Sequence, residues 1–228
     1  MTAILAVETS TPACSVALRL GDVIVSRYSE EPRSHTKLVM NMISDVLAEA
    51  GLSVQQLDML AVTVGPGSFT GLRIGFAAVQ GLAFGADKPV VPASSLQVMA
   101  ATYLRRQNAN QDAGMVIMPV LDARMAEFNC GCYKLEASGE LTALVEDQLL
   151  DAEGAMALYR ECQPDVIVGE AESLIGTDSD LHFVPVYPDA VDLLTITQAN
   201  SAQPLESIEL VYLRGTDAWQ KRKKLRKG

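Results

Sequence analysis

The sequence is poor in the side chains from which most catalytic sites are built. Of its 228 residues two are histidine and one is tryptophan, and aromatic residues make up 5%. His35 and His182 lie far apart, so a histidine-based metal centre is not expected and no metal is assigned. The four cysteines, Cys14, Cys130, Cys132 and Cys162, show no disulfide framework, and "CGC" at 130–132 lacks the two-residue spacer of a zinc knuckle. Free, mostly buried thiols in a reducing cytoplasm are the expectation. Gly-x-Ser-x-Gly and His-Glu-x-x-His are missing, and no Ser-x-x-Lys pattern is expected. No stretch reaches ~18 uninterrupted apolar residues, so no membrane span is expected. The opening "MTAILAVETS" has neither the basic start nor the cleavage pattern of a secretory signal.

What is present is a folded chain, 49% hydrophobic, with a net charge of −10. The closing "QKRKKLRKG" carries six of the eighteen Lys and Arg residues, which leaves 12 basic against 28 acidic side chains before it. An acidic body repels nucleic acid, whereas a basic tail can touch phosphates locally or simply remain solvated. "AILAVETS", "ACSVALRL" and "VIVSRYS" read as three strands in meander order. "SHTKLVMNMISDVLAEAG" reads as a helix, with Ser34 or Thr36 as cap and Gly51 as stop. "MLAVTV" is a fourth strand, followed by a second helix to about Gly85, a short strand at "KPVVP" and a third helix capped by Ser94 or Ser95. After the polar "RRQNANQDAG" the order of elements repeats. The division is therefore 1–102, an N-terminal lobe; 103–216, a C-terminal lobe; and 217–228, a basic, disordered tail. Two βββαβα lobes in an α/β chain resemble the actin–hexokinase–Hsp70 (ASKHA) superfamily.

Between the fourth strand and the second helix stands "VGPGSFTGLRIG", residues 64–75. It looks like a phosphate loop but has no Walker lysine, and Gly65-x-Gly67-x-x-x-Gly71 is one residue too long for the dinucleotide fingerprint. Anion binding at the helix N-terminus stays open. The alternative is close packing: Gly71, Gly75, Ala78, Gly81 and Gly85 are more small residues than helix propensity accounts for. Either the lobe's own sheet or a partner can lie against them. Of the carboxylates, only Glu8 and Asp122 follow buried strands where superfamily relatives place catalytic groups.

Taken together, "ILAVETSTPACSVAL", "SHTKLVMNMI", "VGPGSFTGLRIG", "VPASSLQVMA", "LDARMAEF" and "VYLR" resemble the bacterial TsaB family, formerly YeaZ, in order over nearly the whole chain. The resemblance implies a non-catalytic partner of TsaD, the subunit that attaches the threonylcarbamoyl group to adenosine 37 of ANN-decoding tRNAs. It also implies joint work with the ATPase TsaE. The departures from TsaD agree. Ser95 and Met99 stand at the likely positions of its metal histidines, "LDARMAEF" with Asp122 and Glu127 replaces its glycine-rich phosphate segment, and a single Gly169 beside Glu170 replaces its adenosine loop. No cofactor is expected, and negligible ATP binding by the isolated chain. The rival readings, an active ATPase or sugar kinase of the same fold or a peptidase, lack these parts.

The resemblance further implies that the first two helices form half of a four-helix bundle with TsaD. The partner-binding residues would be Leu38, Val39, Met42, Ile43, Val46, Gly71, Gly75, Ala78 and Leu82, with Met42 and Gly75 foremost. Met42→Arg and Gly75→Leu would then leave the chain folded and abolish association. A weak homodimer through the same helices, and tRNA contact that is indirect or through the tail, complete the expectation.

Overall fold

The structure is a computed structural model that describes residues 2–31, 34–107, 112–175, 181, 183–197 and 201–214. The basic tail and His182 lie outside the described residues.

The first half opens on the meander β1 (Ala3–Glu8), β2 (Cys14–Leu20) and β3 (Val23–Ser29), continues through α1 (His35–Ala50) and β4 (Met59–Gly65), and ends with α2 (Phe69–Ala86) and β5 (Val90–Ser94). β1 and β4 are buried along their whole length, as apolar runs with few charges require in the centre of a sheet covered on both faces. The strand order is β3-β2-β1-β4-β5, with β1, β4 and β5 parallel. Helix α3 (Ser95–Gln107) leads to the second half. This repeats the plan with β6 (Val116–Arg124), β7 (Glu127–Leu135), β8 (Leu141–Asp151), α4 (Ala152–Cys162), β9 (Val166–Gly169), α5 (Glu172–Ile175) and β10 (Phe183–Val184). Its order, β10-β9-β6-β7-β8, matches the first sheet position for position. The duplicated ASKHA-like lobes are therefore present. β10 and the one-turn α5 were not legible in the sequence, because elements of two and four residues are too short to show a period.

The layers alternate. α1 and α2 cover one face of the first sheet; α3 and α6 (Ala190–Ile196) lie between the two sheets; α4 and α5 cover the far face of the second. α3 follows the first lobe yet packs on β6 to β9, and α6 comes from the second half yet packs on β1, β2 and β4. An Arg105 fork ties the two helices together, donating to Asp192 at 2.8 Å and to Asp189 at 2.8 Å. After α6 the chain stays with the first lobe. Val90 and Gln203 pair backbone to backbone, Ile208 enters the α1–α2 core, and the Val211 amide donates to the Val64 carbonyl at 2.8 Å. This last segment brings Tyr212 and Arg214 to the gap between the lobes.

The caps follow the sequence in two of three places. Gly51 ends α1 in the left-handed region (φ 66°), and the Ser94 hydroxyl accepts from the Leu96 and Gln97 amides. At α1 the expected side-chain cap is missing, because the Ser34 hydroxyl donates backwards to the Glu31 carbonyl at 2.5 Å.

Candidate functional site

Two regions answer to the residues singled out in the sequence: the cleft between the lobes and the outer side of the α1–α2 layer. The cleft has a volume of about 1280 Å³ and is lined by Ser10 and Thr11, the turn before α2, Asp122 to Arg124, Glu170 and the segment from Val211 to Arg214. No lysine lines it. Asp122 stands there, and its amide donates to Glu170 Oε2 at 3.3 Å. Burial raises the Glu170 carboxyl above its ordinary range, although the Asp122 amide partly offsets this. Glu127 is paired to Arg214, whose guanidinium also donates to the Ala123 carbonyl at 3.0 Å and the Arg124 carbonyl at 2.9 Å. Those carbonyls belong to a hairpin in which Arg124, Met125 and Ala126, none of them glycine, all have φ between 59° and 69°. Such a turn carries a backbone cost, and Arg214 holds it by its carbonyls.

Of the remaining candidate groups, Glu8, Ser95 and Met99 are buried away from this cleft, while His35 lines it with its Nε2 engaged by backbone carbonyls. Glu8 is fully buried; Ser10 donates to its Oε1 from the backbone amide at 2.5 Å and from the hydroxyl at 2.6 Å. Loss of water lifts its carboxyl to about 7, and the Ser10 donors pull it only part of the way back. Ser95 and Met99 are sealed in the interior, with Met99 packed against Gly169. His35 faces the Thr11 and Ala13 carbonyls with Nε2 at 2.9 and 3.1 Å, so that nitrogen carries the proton and pins the β1–β2 connection. One Ser-x-x-Lys spacing does exist, at Ser34 and Lys37, contrary to expectation. There the Ser34 hydroxyl is spent on a backbone carbonyl and Lys37 is exposed. Among the described residues no group of three or more His, Cys, Asp or Glu is placed to hold a metal ion.

The helix layer sets most of the residues chosen from the sequence against the chain's own core. Val39, Met42, Ile43 and Val46 are buried in the chain's own core, and Leu38, Ala78 and Leu82 pack half-buried against it. The Met42 thioether touches the Cys14 thiol at 3.9 Å. Gly71 and Gly75 meet Thr9. A methyl group on Gly71 would run into the Thr9 carbonyl and one on Gly75 into the Thr9 hydroxyl, which itself donates to the Gly71 carbonyl at 2.8 Å. These two glycines let α2 lie close on the β1–β2 connection of the same chain. Gly81 and Gly85 differ, since an added methyl there would meet nothing within 4 Å. Beside them Phe84 is 82% exposed, and on α1 Met40 is 49% exposed. Met40, Ser44 and Ala48 on α1, and Ala77, Gly81 and Gly85 on α2, are exposed rows at four-residue spacing. By length and composition α2 is apolar enough to cross a membrane, at a mean hydropathy of 1.2 over 18 residues with 28% buried. Here it is the crossover between parallel strands β4 and β5, and its apolar excess is this uncovered side.

Comparison with known proteins agrees with the duplicated topology. Residues 28–193 match the family model described as "TsaD: tRNA N6-adenosine threonylcarbamoyltransferase". The chain is 33% identical to the tRNA threonylcarbamoyladenosine biosynthesis protein TsaB of Escherichia coli over 96% of its own length and 97% of that protein's. It is 32% identical to the Haemophilus influenzae protein of the same name, at 96% of each. The solved structure of YeaZ from Pseudomonas aeruginosa superposes with a TM-score of 0.80 at 31% identity, covering 93% of this chain and all of that one.

Proposed function

The chain belongs to the TsaB family, and on that footing we propose that it is a non-catalytic partner subunit in the synthesis of threonylcarbamoyladenosine in tRNA. Its partner on this reading is a TsaD-like transferase, with the ATPase TsaE as a further member and the cytoplasm as its place. The free thiols Cys14, Cys130, Cys132 and Cys162 suit a reducing compartment. The observation that carries the reading is the uncovered outer side of α1 and α2, where Phe84 and Met40 leave apolar surface in water next to small residues that admit a close helix. Rows of small residues at four-residue spacing suit ridge-into-groove packing against a second helix pair. The cleft agrees with the non-catalytic part in one respect: it brings Asp122 and Glu170 together with Arg73, Arg124 and Arg214 but has no lysine of the phosphate-loop kind.

Light scattering on the eluting chain, with and without the TsaD-like subunit, tests this. Met40→Arg and Phe84→Arg alter exposed positions, so both variants should melt like the wild type, within about 0.5 kcal/mol. Each should weaken co-elution by roughly one to two powers of ten, as the loss of an interface anchor does. Normal co-elution of both would refute the helix-pair surface. Turnover of threonylcarbamoyl-adenylate on tRNA by this chain alone would refute the non-catalytic assignment. Self-association, if it uses the same helices, should be lost in the same variants.

A further inference from the structure

The rim of the cleft carries a second exposed group. Phe69 opens α2 and Tyr212 arrives on the returning C-terminal segment; their ring centroids are 5.3 Å apart at 43°. Both stay largely in water, Phe69 54% and Tyr212 41% exposed, although rings of this size normally bury themselves. The Arg73 guanidinium lies over the Phe69 ring, 3.7 Å from its centroid, and 5.9 Å from that of Tyr212. Its Nε donates to the Tyr212 hydroxyl at 3.2 Å. Among the described residues its two Nη atoms have no acceptor, and no carboxylate lies within ion-pair distance. The same holds for ion pairs of Arg124, which lines the cleft from the other lobe. We propose that this rim of Phe69, Arg73 and Tyr212 binds a single-stranded loop of RNA, by base stacking on the rings and the guanidinium and by phosphate contact with the free Nη donors.

The chemistry favours RNA over other anions. A guanidinium already placed over a ring and bonded to the Tyr212 hydroxyl has given up much of its rotamer freedom, so a base stacking there costs little further ordering. Unpaired bases in RNA loops are recognised on aromatic faces and arginine planes, whereas an acidic peptide has no flat surface to match them. Charge agrees. The body is acidic, but beyond Arg214, at this same rim, the sequence continues into six cations between residues 221 and 227. The inference rests on the tRNA-modification reading and adds to it a direct contact that does not depend on the tail alone.

The test uses the full chain by itself and a fluorescein-labelled RNA hairpin with a seven-nucleotide loop, read by anisotropy over a series of KCl concentrations. A fully paired duplex of equal length is the control. The hairpin should bind at least tenfold more tightly than the duplex. Phe69→Ala and Tyr212→Ala should each weaken hairpin binding by about five- to a hundredfold without changing the salt slope, since they remove stacking and no charge. Arg73→Ala should lower the slope by about one, and Arg73→Lys should keep the slope while losing affinity. Several outcomes overturn the proposal: no binding to the hairpin at low salt; rim variants that bind like the wild type, including the case where only removal of residues 215–228 abolishes binding; or displacement by polyglutamate as effective as by unlabelled hairpin. Loss of RNA binding with intact subunit association defeats this inference alone. Loss of association with intact RNA binding defeats the docking reading alone.

Discussion

Glu8 illustrates what a single residue's surroundings do to a sequence reading. Its place at the end of β1 made it a candidate catalytic carboxylate in the sequence, yet it is closed off from the cleft. A group held at about 7 when folded, against an ordinary 4.5, prefers its proton in the folded state. Its contribution to stability is thus complete below about 4.5 and is lost as the pH rises through about 7. A shift of that size corresponds to about 3 kcal/mol. Glu8→Gln has no proton to lose. Its unfolding free energy relative to the wild type should therefore climb by about 3 kcal/mol between pH 4.5 and pH 7.5, as measured by urea unfolding at each pH. A difference that stays flat across that range would mean that the carboxyl is not held protonated.

Within α2, four glycines of one helix do two jobs. Gly75 sits one turn beyond Gly71 against Thr9, and Gly81 and Gly85 face open space. Gly75→Ala should therefore destabilise the chain by about 1–3 kcal/mol through overpacking, despite the better helix propensity of alanine. Gly81→Ala should raise stability by about 0.5–1 kcal/mol, because only propensity changes. Thermal melts of the two variants decide the matter, and equal shifts would contradict the contact with Thr9. Met42→Arg, which the sequence placed at a partner surface, should instead fail to fold well, as it forces a charge into the core beside Cys14. α1 shows why a stripe alone leaves the side open. Its apolar stripe is a single band, and nothing in a stripe distinguishes a chain's own sheet from a partner. The exposed Met40 lies outside that band, and it was the one residue whose apolarity exceeded the needs of the core.

At the scale of the molecule, the lobes share their helices. α3 and α6 sit between the two sheets, and the Arg105 fork holds Asp189 and Asp192, which are 7% and 2% exposed. Burial pushes the Asp192 carboxyl up while Arg105 brings it part of the way down. Arg105→Ala leaves Asp192 without its cation and Asp189 with only the longer Arg106 contact at 3.7 Å. With the arginine itself partly in solvent, the loss should be about 2–3 kcal/mol in a denaturant melt. A loss below about 0.5 kcal/mol would mean that the fork is incidental to the lobe contact. The same crossing of segments builds the cleft rim. Phe69 and Tyr212 are 143 positions apart in the chain, and the backbone bond from Val211 to Val64 sets one beside the other.

The repeated βββαβα order, the helix stops and the lack of a phosphate lysine were all legible in the sequence, because periodicity, capping and residue type are local properties. So was the family, which several short segments in fixed order carry. Only the tertiary structure decided which side of α1 and α2 is free, which glycines touch Thr9, that Glu8 is closed off, and that Phe69, Arg73 and Tyr212 meet. Each of these depends on which distant backbone comes to lie against a residue. A one-dimensional pattern records how apolar a position is, but burial is fixed by the sheet, helix or strand that packs over it.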